Sequence, residues 1–428
     1  MPRVPRALIA LTALAAALRL PTLGSQSLWL DEVLTGNLAR GSLGDLFHVV
    51  AQQEANPPLF YLFEWVWARI AGTSEFALRL PSALCGIALV PVGYAIGKRL
   101  AGERTAVALA ALVAVHPLLV YYSQEARGYS AVALACAVGF FCFLDDRPLG
   151  WAIASAVALG CHYFAIFPVA IEAAILLWRG RRAAVAAVVV IGAALLPLLH
   201  EQLRGDHADN VTQGVGLATR TKGVVTSWIV GERGAAIDNL EWLGGALLLA
   251  GAVLAIRRRE ALMPALVGGG GAALMLLTAL GGADYLNNRN TIAVLAIVLA
   301  VPAIGYAAGK AGVWLGGATC GVLLAATIGA LIDSAHARED WRSAARKITA
   351  PAVVVIPAYQ SIPLRWYAPE LHPVPSATTR ELDVVTTGGL RPQTPTGFLP
   401  GKSIETGRIR ITRYTAPAPQ PVPNALSR

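Results

Sequence analysis

Apolar residues in this chain gather into long blocks, not at the alternating or one-face spacing of soluble strands and helices. The first block opens at Ala7 and runs to Leu23, and others follow at 78–96, 106–122, 129–144, 149–161, 164–178, 183–199, 240–256, 261–280, 291–308 and 313–332. A helix needs about 20 apolar residues to cross a bilayer, so the pattern predicts an all-α polytopic membrane protein with about eleven transmembrane helices. Arg3 and Arg6 precede the first block, which is followed by further apolar blocks and not by a cleavage signature. It is expected to stay as a signal anchor, with the N-terminus in the cytoplasm. Arg19 then lies close to the outer end of that helix, where its long side chain is expected to snorkel towards water.

The cations between blocks set the orientation. Lys98, Arg99 and Arg104, then Arg147, then Arg179, Arg181 and Arg182, then Arg257 to Arg259, then Lys310, all fall on one side if the first helix runs outward. Short loops rich in Lys and Arg face the cytoplasm, and an odd number of crossings leaves the C-terminus outside. The segment 57–71, PPLFYLFEWVWARIA, is apolar but short and carries Glu64 and Arg69. Counting it as a crossing would invert the next two basic clusters. It is expected to lie flat at the outer surface, with Trp65 and Trp67 at headgroup depth. The first outer loop therefore spans 25–76, within a transmembrane unit of 1–333. A second polar outer stretch covers 200–239. From 334 to 415 a helix at 340–348 and strands at 352–357, 382–387 and 408–412 predict a small extracytoplasmic α/β domain. The Pro-rich end, 416–428, is expected to be disordered.

Composition changes this picture little. Of 428 residues, 55% are hydrophobic and 14% charged, against about 25% charged in soluble chains. That excludes an ordinary soluble enzyme and a disordered protein. The net charge of +9 is accounted for by the cytoplasmic loops and gives no reason to invoke nucleic acid. Cys85, Cys136, Cys142, Cys161 and Cys320 all sit inside apolar runs, as small packing residues and not as disulfide or zinc ligands.

Chemistry gathers on the predicted outer side. Asp31 and Glu32 stand together in SLWLDEV, where flanking apolar residues hold them at the membrane surface. Partial desolvation there would raise a carboxylate's basicity; a solvated helix start is the plainer reading. Asn56-Pro57-Pro58 opens the flat helix, and Arg79 begins the second crossing. Glu125, Arg127 and Tyr129 fall in SQEARGYS, with a surface ion pair as the plainer reading. His162 and Tyr163 occupy another outer junction, where a lone His is commonly structural. Asp284, Tyr285, Asn287, Asn288, Arg289 and Asn290 crowd one short turn, and REDWR follows the last crossing. Carboxylates and arginines at an outer leaflet suit a substrate with a lipid tail, a phosphate and an acceptor hydroxyl.

The runs LGSQSLWLDE, NPPLFYLFEWVWARIAGTSEFALRLPSALCG, YYSQEARGYS, HYF and REDWRSAA resemble the GT-C glycosyltransferases, in the branch of protein O-mannosyltransferases and aminoarabinose transferases (glycosyltransferase family 39-like). The resemblance implies a GT-C fold and an inverting transfer of one sugar from a polyprenyl-phosphate carrier to an extracytoplasmic hydroxyl on glycan, lipid or protein. It gives Asp31 the role of base, with Glu32 beside it. Substrate contacts fall to Asn56, Arg79, Glu125, Arg127, Tyr129, His162, Tyr163 and Arg289. The arginines would stabilise the departing phosphate. Asn56 departs from relatives that place a lysine near the Pro-Pro element, and the sensor modules of the protein O-mannosyltransferases are missing here. No cofactor is implied in this branch. A divalent metal on Asp31, Glu32 and Glu125 is the alternative suggested by the oligosaccharyltransferase branch. A lipid-linked-sugar flippase or transporter, and a catalytically silent assembly scaffold, are the competing functions.

Overall fold

The structure, a computed structural model, describes residues 4–204, 215–232, 234, 239–283, 286–333, 338–390 and 393–427. Asp284 and Tyr285 lie outside the described residues. Two compact units divide the chain: Met1–Leu23 with Leu38–Ala330, and Gly24–Asn37 with Leu331–Arg428. Residues 24–37, expected to belong to the membrane unit, thus count with the C-terminal one.

The first unit is helical. It contains α1 (Arg6–Arg19), the last turn of α2 (Leu30–Arg40), α3 (Leu43–Gln53), α4 (Leu59–Ala71), α5 (Glu75–Ala101), α6 (Glu103–Val115) and α7 (Pro117–Ser123). Then come α8 (Tyr129–Leu144), α9 (Pro148–Cys161), α10 (Ile166–Trp178), α11 (Arg182–Arg204), α12 (Leu217–Val230) and α13 (Leu240–Ala255). Apolar helical segments Arg259–Leu280, Arg289–Tyr306 and Gly309–Ile332 complete it. Every predicted apolar block forms helix, the first only as far as Arg19. Five of the described helices are long and apolar enough to cross a membrane, and a sixth crossing results if the bent pair α6–α7 is one span. Four further apolar helices, among them α8, α9 and α13, have only 10–17 residues. Their ends are cut by Pro148 at the start of α9 and by tight junctions such as His162, which shortens them below the length read from hydropathy. The polar stretch 200–239 is not all loop, since α12 forms within it.

Close packing of α5 on α6 depends on glycine. Gly102 turns the chain at φ 84°, and a Cβ on Gly97 would lie 2.6 Å from the Thr105 carbonyl, so the two helices meet backbone to backbone. The α4 helix buries Phe60, Tyr61 and Glu64 and exposes Phe63, Val66 and Ile70. Arg69 stacks 3.3 Å over the Trp65 ring and donates to the Ala39 and Gly41 carbonyls. An apolar stripe beside an anchored cation has the make-up of a helix lying in an interface.

The second unit is built on a four-stranded sheet, order β1-β2-β4-β3. The strands are β1 (Ala352–Ile356), β2 (His372–Thr387), β3 (Leu399–Thr406) and β4 (Ile409–Ser427). β1 runs parallel to β2, with the short helix Ser361–Tyr367 between them, and the other pairings are antiparallel. Trp341 of the helix Trp341–Lys347 is buried with Val353, Val355, Val385, Ile409 and Ile411 in one face of the core. The expected disordered end is instead paired strand as far as Ser427. The reason is register: Pro417, Pro419, Pro421 and Pro423 alternate with the strand period, so their N–H-less nitrogens all face one edge. The other edge keeps its donors for β2. β3 pairs only with residues up to Thr415, and beyond that point the proline edge has no strand to satisfy.

Candidate functional site

The motif at 121–130 is presented by a broken span. Pro117 cannot donate to α6, so the helix stops at Val115 and α7 leaves at 56° to it. A break inside an apolar unit strands the last carbonyls of α6 without donors. Arg19 supplies them. Its Nη1 donates to the Ala114 carbonyl at 2.9 Å and to Ala15 at 3.2 Å, and its Nη2 to Val113 at 3.3 Å. Its Nε donates to Ser123 Oγ at 3.1 Å, and Thr327 covers the Val115 carbonyl at 2.7 Å. Arg19 is therefore fully buried and does not snorkel. Unsatisfied carbonyls in an apolar setting hold its guanidinium where the expected reach to water would have left them bare. Gly86 makes the room, since a Cβ there would fall 1.9 Å from Ser123 Oγ. Gln124 then ties the end of α7 to the Leu18 and Arg19 carbonyls and to Thr22 Oγ1.

Beyond Gln124 the chain buries its charges. Glu125 is 1% exposed and Arg127 5%, so the reading of them as a surface ion pair is corrected. Arg127 pairs with Glu54, at the C-terminal end of α3. Its Nη1 and Nη2 each lie 3.1 Å from one carboxylate oxygen. Tyr61 adds a hydroxyl donor at 2.7 Å to the same carboxylate, and its ring lies 5.4 Å from the guanidinium. Burial pushes the Tyr61 phenol well above its ordinary range, so it stays a donor. The Arg127 carbonyl accepts from Ser82 on α5 at 2.9 Å. Sequence reasoning missed Glu54 and Tyr61; the acid two positions before the Asn-Pro-Pro element was the available signal.

Aromatic rings continue from this ion pair. Tyr122 and Tyr129 have ring centroids 4.8 Å apart, Tyr129 and His162 5.7 Å, and His162 and Phe164 5.6 Å. The Tyr122 hydroxyl donates to Glu232 at 2.7 Å. His162 Nδ1 accepts from the Phe164 N–H, which leaves the proton of the neutral ring on Nε2. Burial, then the charges of Arg289 and Arg127, push this imidazole down to about 3. The first unit thus gathers Arg127, Tyr129, His162 and Arg289. Other expected residues point elsewhere. Arg79 is buried and donates to the Leu23 carbonyl at 2.7 Å. Tyr163 donates to Gln202, whose amide bridges the carbonyls of Val50 and Asn56. Asn56 is held through its backbone.

In the second unit, Asp31 and Glu32 occupy the first turn of α2, where the helix dipole favours negative charge. Their surroundings differ. Asp31 is half-buried and its carbonyl accepts from Thr35. Glu32 is fully buried, and its Oε2 accepts from Arg338 Nη1 at 3.0 Å and from the Trp29 N–H at 3.4 Å. Arg338 opens the REDWR run, so the first and last motifs of the chain meet here. Glu32 is thus held in a buried ion pair beside Asp31. Among the described residues no group of three or more His, Cys, Asp or Glu is arranged to hold a metal ion.

Residues 55–200 match the family model described as dolichyl-phosphate-mannose-protein mannosyltransferase. In three dimensions the chain is similar to ArnT from Cupriavidus metallidurans in the apo state, with a TM-score of 0.55 at 11% identity over 95% of this chain and 97% of that one. The same protein bound to undecaprenyl phosphate gives 0.52 at 12% identity over the same shares. A weaker likeness, TM-score 0.48 at 16% identity, covers 79% of this chain and 54% of the Archaeoglobus fulgidus oligosaccharyltransferase in complex with Zn and sulfate. No curated protein sequence matches the chain.

Proposed function

Because the chain is a multi-pass membrane protein with the GT-C glycosyltransferase fold, we propose that it transfers a single sugar from a polyprenyl-phosphate carrier to an extracytoplasmic hydroxyl. The observation that carries the reading is the pairing of this fold with an acid at the N-terminus of α2 whose neighbour, Glu32, is locked in a buried ion pair. The base is Asp31, the role that the resemblance gives it. Asp31 takes the acceptor hydroxyl's proton while the oxygen forms its bond to the anomeric carbon from the face opposite the phosphate. The bond from that carbon to the phosphate oxygen breaks, its electron pair leaves with polyprenyl phosphate, and the configuration inverts. The resemblance gives Arg289 the task of stabilising the leaving phosphate's charge. Arg127 contributes less than its charge suggests, because Glu54 already neutralises it. The row Tyr129–His162 offers flat faces and an Nε2–H donor to a sugar. The N-terminus lies in the cytoplasm and the catalytic face outside.

Purified protein in vesicles, given polyprenyl-phosphate sugars, tests this. Asp31→Asn is expected to reduce transfer by about 10²–10⁴-fold with insertion intact, and turnover like that of the parent protein removes Asp31 as base. The flippase reading draws on the broken α6–α7 span and on Glu172, buried in α10 with its carboxylate accepting from Trp151 at 2.7 Å. Movement of labelled carrier across the vesicle without product would favour it.

A further inference from the structure

We infer that Arg338, acting through Glu32, is the positioning residue for the proposed base, and that the C-terminal unit exists to hold the acid-bearing turn. The inference rests on Asp31 acting as proposed above. Loop 24–29 would be a poor support for a catalytic group by itself, since it has no regular structure before α2. It is clasped along its length. Gln26 Oε1 accepts from the Arg338 N–H at 3.1 Å, and Ser27 Oγ donates to the Glu339 carbonyl at 2.7 Å. The same Ser27 Oγ accepts from the Trp341 N–H at 3.0 Å. The Leu28 N–H donates to the Tyr367 hydroxyl at 2.7 Å, and Arg342 Nη2 reaches the Gly24 carbonyl at 3.4 Å. Glu32 closes the series on Arg338, with the two side chains 0% and 5% exposed.

The clasp is itself anchored. Trp341, fully buried, lies in the core formed by β1, β2 and β4, and Tyr367 ends the helix that joins β1 to β2. Sheet, Trp341, Arg338, Glu32 and the first turn of α2 therefore form one connected support. Asp31 is the next residue on that turn, so its carboxylate moves when Glu32 does. A displacement of about 1 Å at a reacting group costs about 100-fold in rate.

The test compares Arg338→Met, Arg338→Lys, Tyr367→Phe and Asp31→Asn in the full-length protein in vesicles. It reads transfer kinetics and hydrogen exchange of the amides at 28–33. Arg338→Met is expected to lower kcat about 100-fold with donor KM unchanged. Arg338→Lys should restore about a tenth of the activity, because it keeps the charge but loses the planar fork. Exchange at 28–33 should quicken more in Arg338→Met than in Asp31→Asn. If Arg338→Met fails to insert, Arg338→Lys and Tyr367→Phe carry the same two readouts in milder form. Parent-like kcat in Arg338→Met beside an inert Asp31→Asn overturns the inference, as does unmoved exchange at 28–33. Absence of transfer by the parent protein instead overturns the proposed function, and the exchange measurement still decides the clasp.

Discussion

Two buried carboxylate–guanidinium pairs, one in each unit, solve the same problem in different ways. Glu54 and Arg127 face each other through both oxygens and both terminal nitrogens, with Tyr61 donating to the carboxylate as well. Glu32 meets Arg338 through one oxygen, which also receives the Trp29 N–H at the start of a helix. The first pair is two-pronged. The second is a link between a backbone turn and a distant motif. The difference shows that an arginine in a membrane glycosyltransferase fold cannot be assigned to phosphate by its charge alone; its partner decides. Arg127 is matched by Glu54, and Glu32, the neighbour of Asp31, is matched by Arg338.

The comparison breaks most sharply if the Glu54–Arg127 pair is cut from one side. Removing one partner of a buried pair costs about 3–5 kcal/mol, because the other charge stays buried without compensation, whereas replacing both costs far less. Arg127→Met and Glu54→Gln should each lower stability by about that amount in denaturation of the purified protein. The double substitution should cost less than either alone. Equal and additive losses would show that each residue is held by something other than its partner.

A smaller effect is expected at Arg19. Arg19→Met leaves the carbonyls of Ala114 and Val113 and the Ser123 hydroxyl without the donor they have now. Each buried group left unsatisfied costs about 1–3 kcal/mol, and partial relaxation of the break should hold the total at about 3 kcal/mol. Arg19→Lys should recover part of it. Gly86→Ala should mimic the loss by pushing Ser123 and Arg19 apart. An unchanged denaturation midpoint in Arg19→Met would mean that the broken span is closed without Arg19.

What the sequence made legible was what hydrophobicity and short motifs carry. The apolar blocks became helices, and the basic turns and the motifs that carry the resemblance stood out without coordinates. What stayed hidden depended on partners far along the chain. Glu54 reads as one acid in AQQEANPP until Arg127, 73 residues later, is set against it. The ion pair of Glu32 was hidden because Arg338 is 306 residues away. Arg19 seemed bound for water because a sequence does not reveal that a helix 94 residues on breaks beside it. The prolines after Thr415 suggested disorder because their period of two has meaning only once β2 supplies a register.

The smallest expected effect is on pH dependence, and it separates the two units again, because His162 belongs to the first. Its imidazole is held at about 3 by burial and by Arg289 and Arg127, against about 6.5 in an unfolded chain. Between these values the unfolded chain takes up a proton that the folded protein refuses. Stability contributed by the neutral ring is therefore whole above about pH 6.5 and is lost as pH falls. From pH 7 to 5 the loss from this one group is about 2 kcal/mol. His162→Gln keeps a hydrogen-bonding side chain without a titration, so its stability should fall less than the parent's over that interval. The effect should appear in the denaturation of the first unit and leave hydrogen exchange at 28–33 unmoved. Parallel pH profiles for parent and His162→Gln would show that the ring takes its proton in the folded state as readily as in the unfolded one.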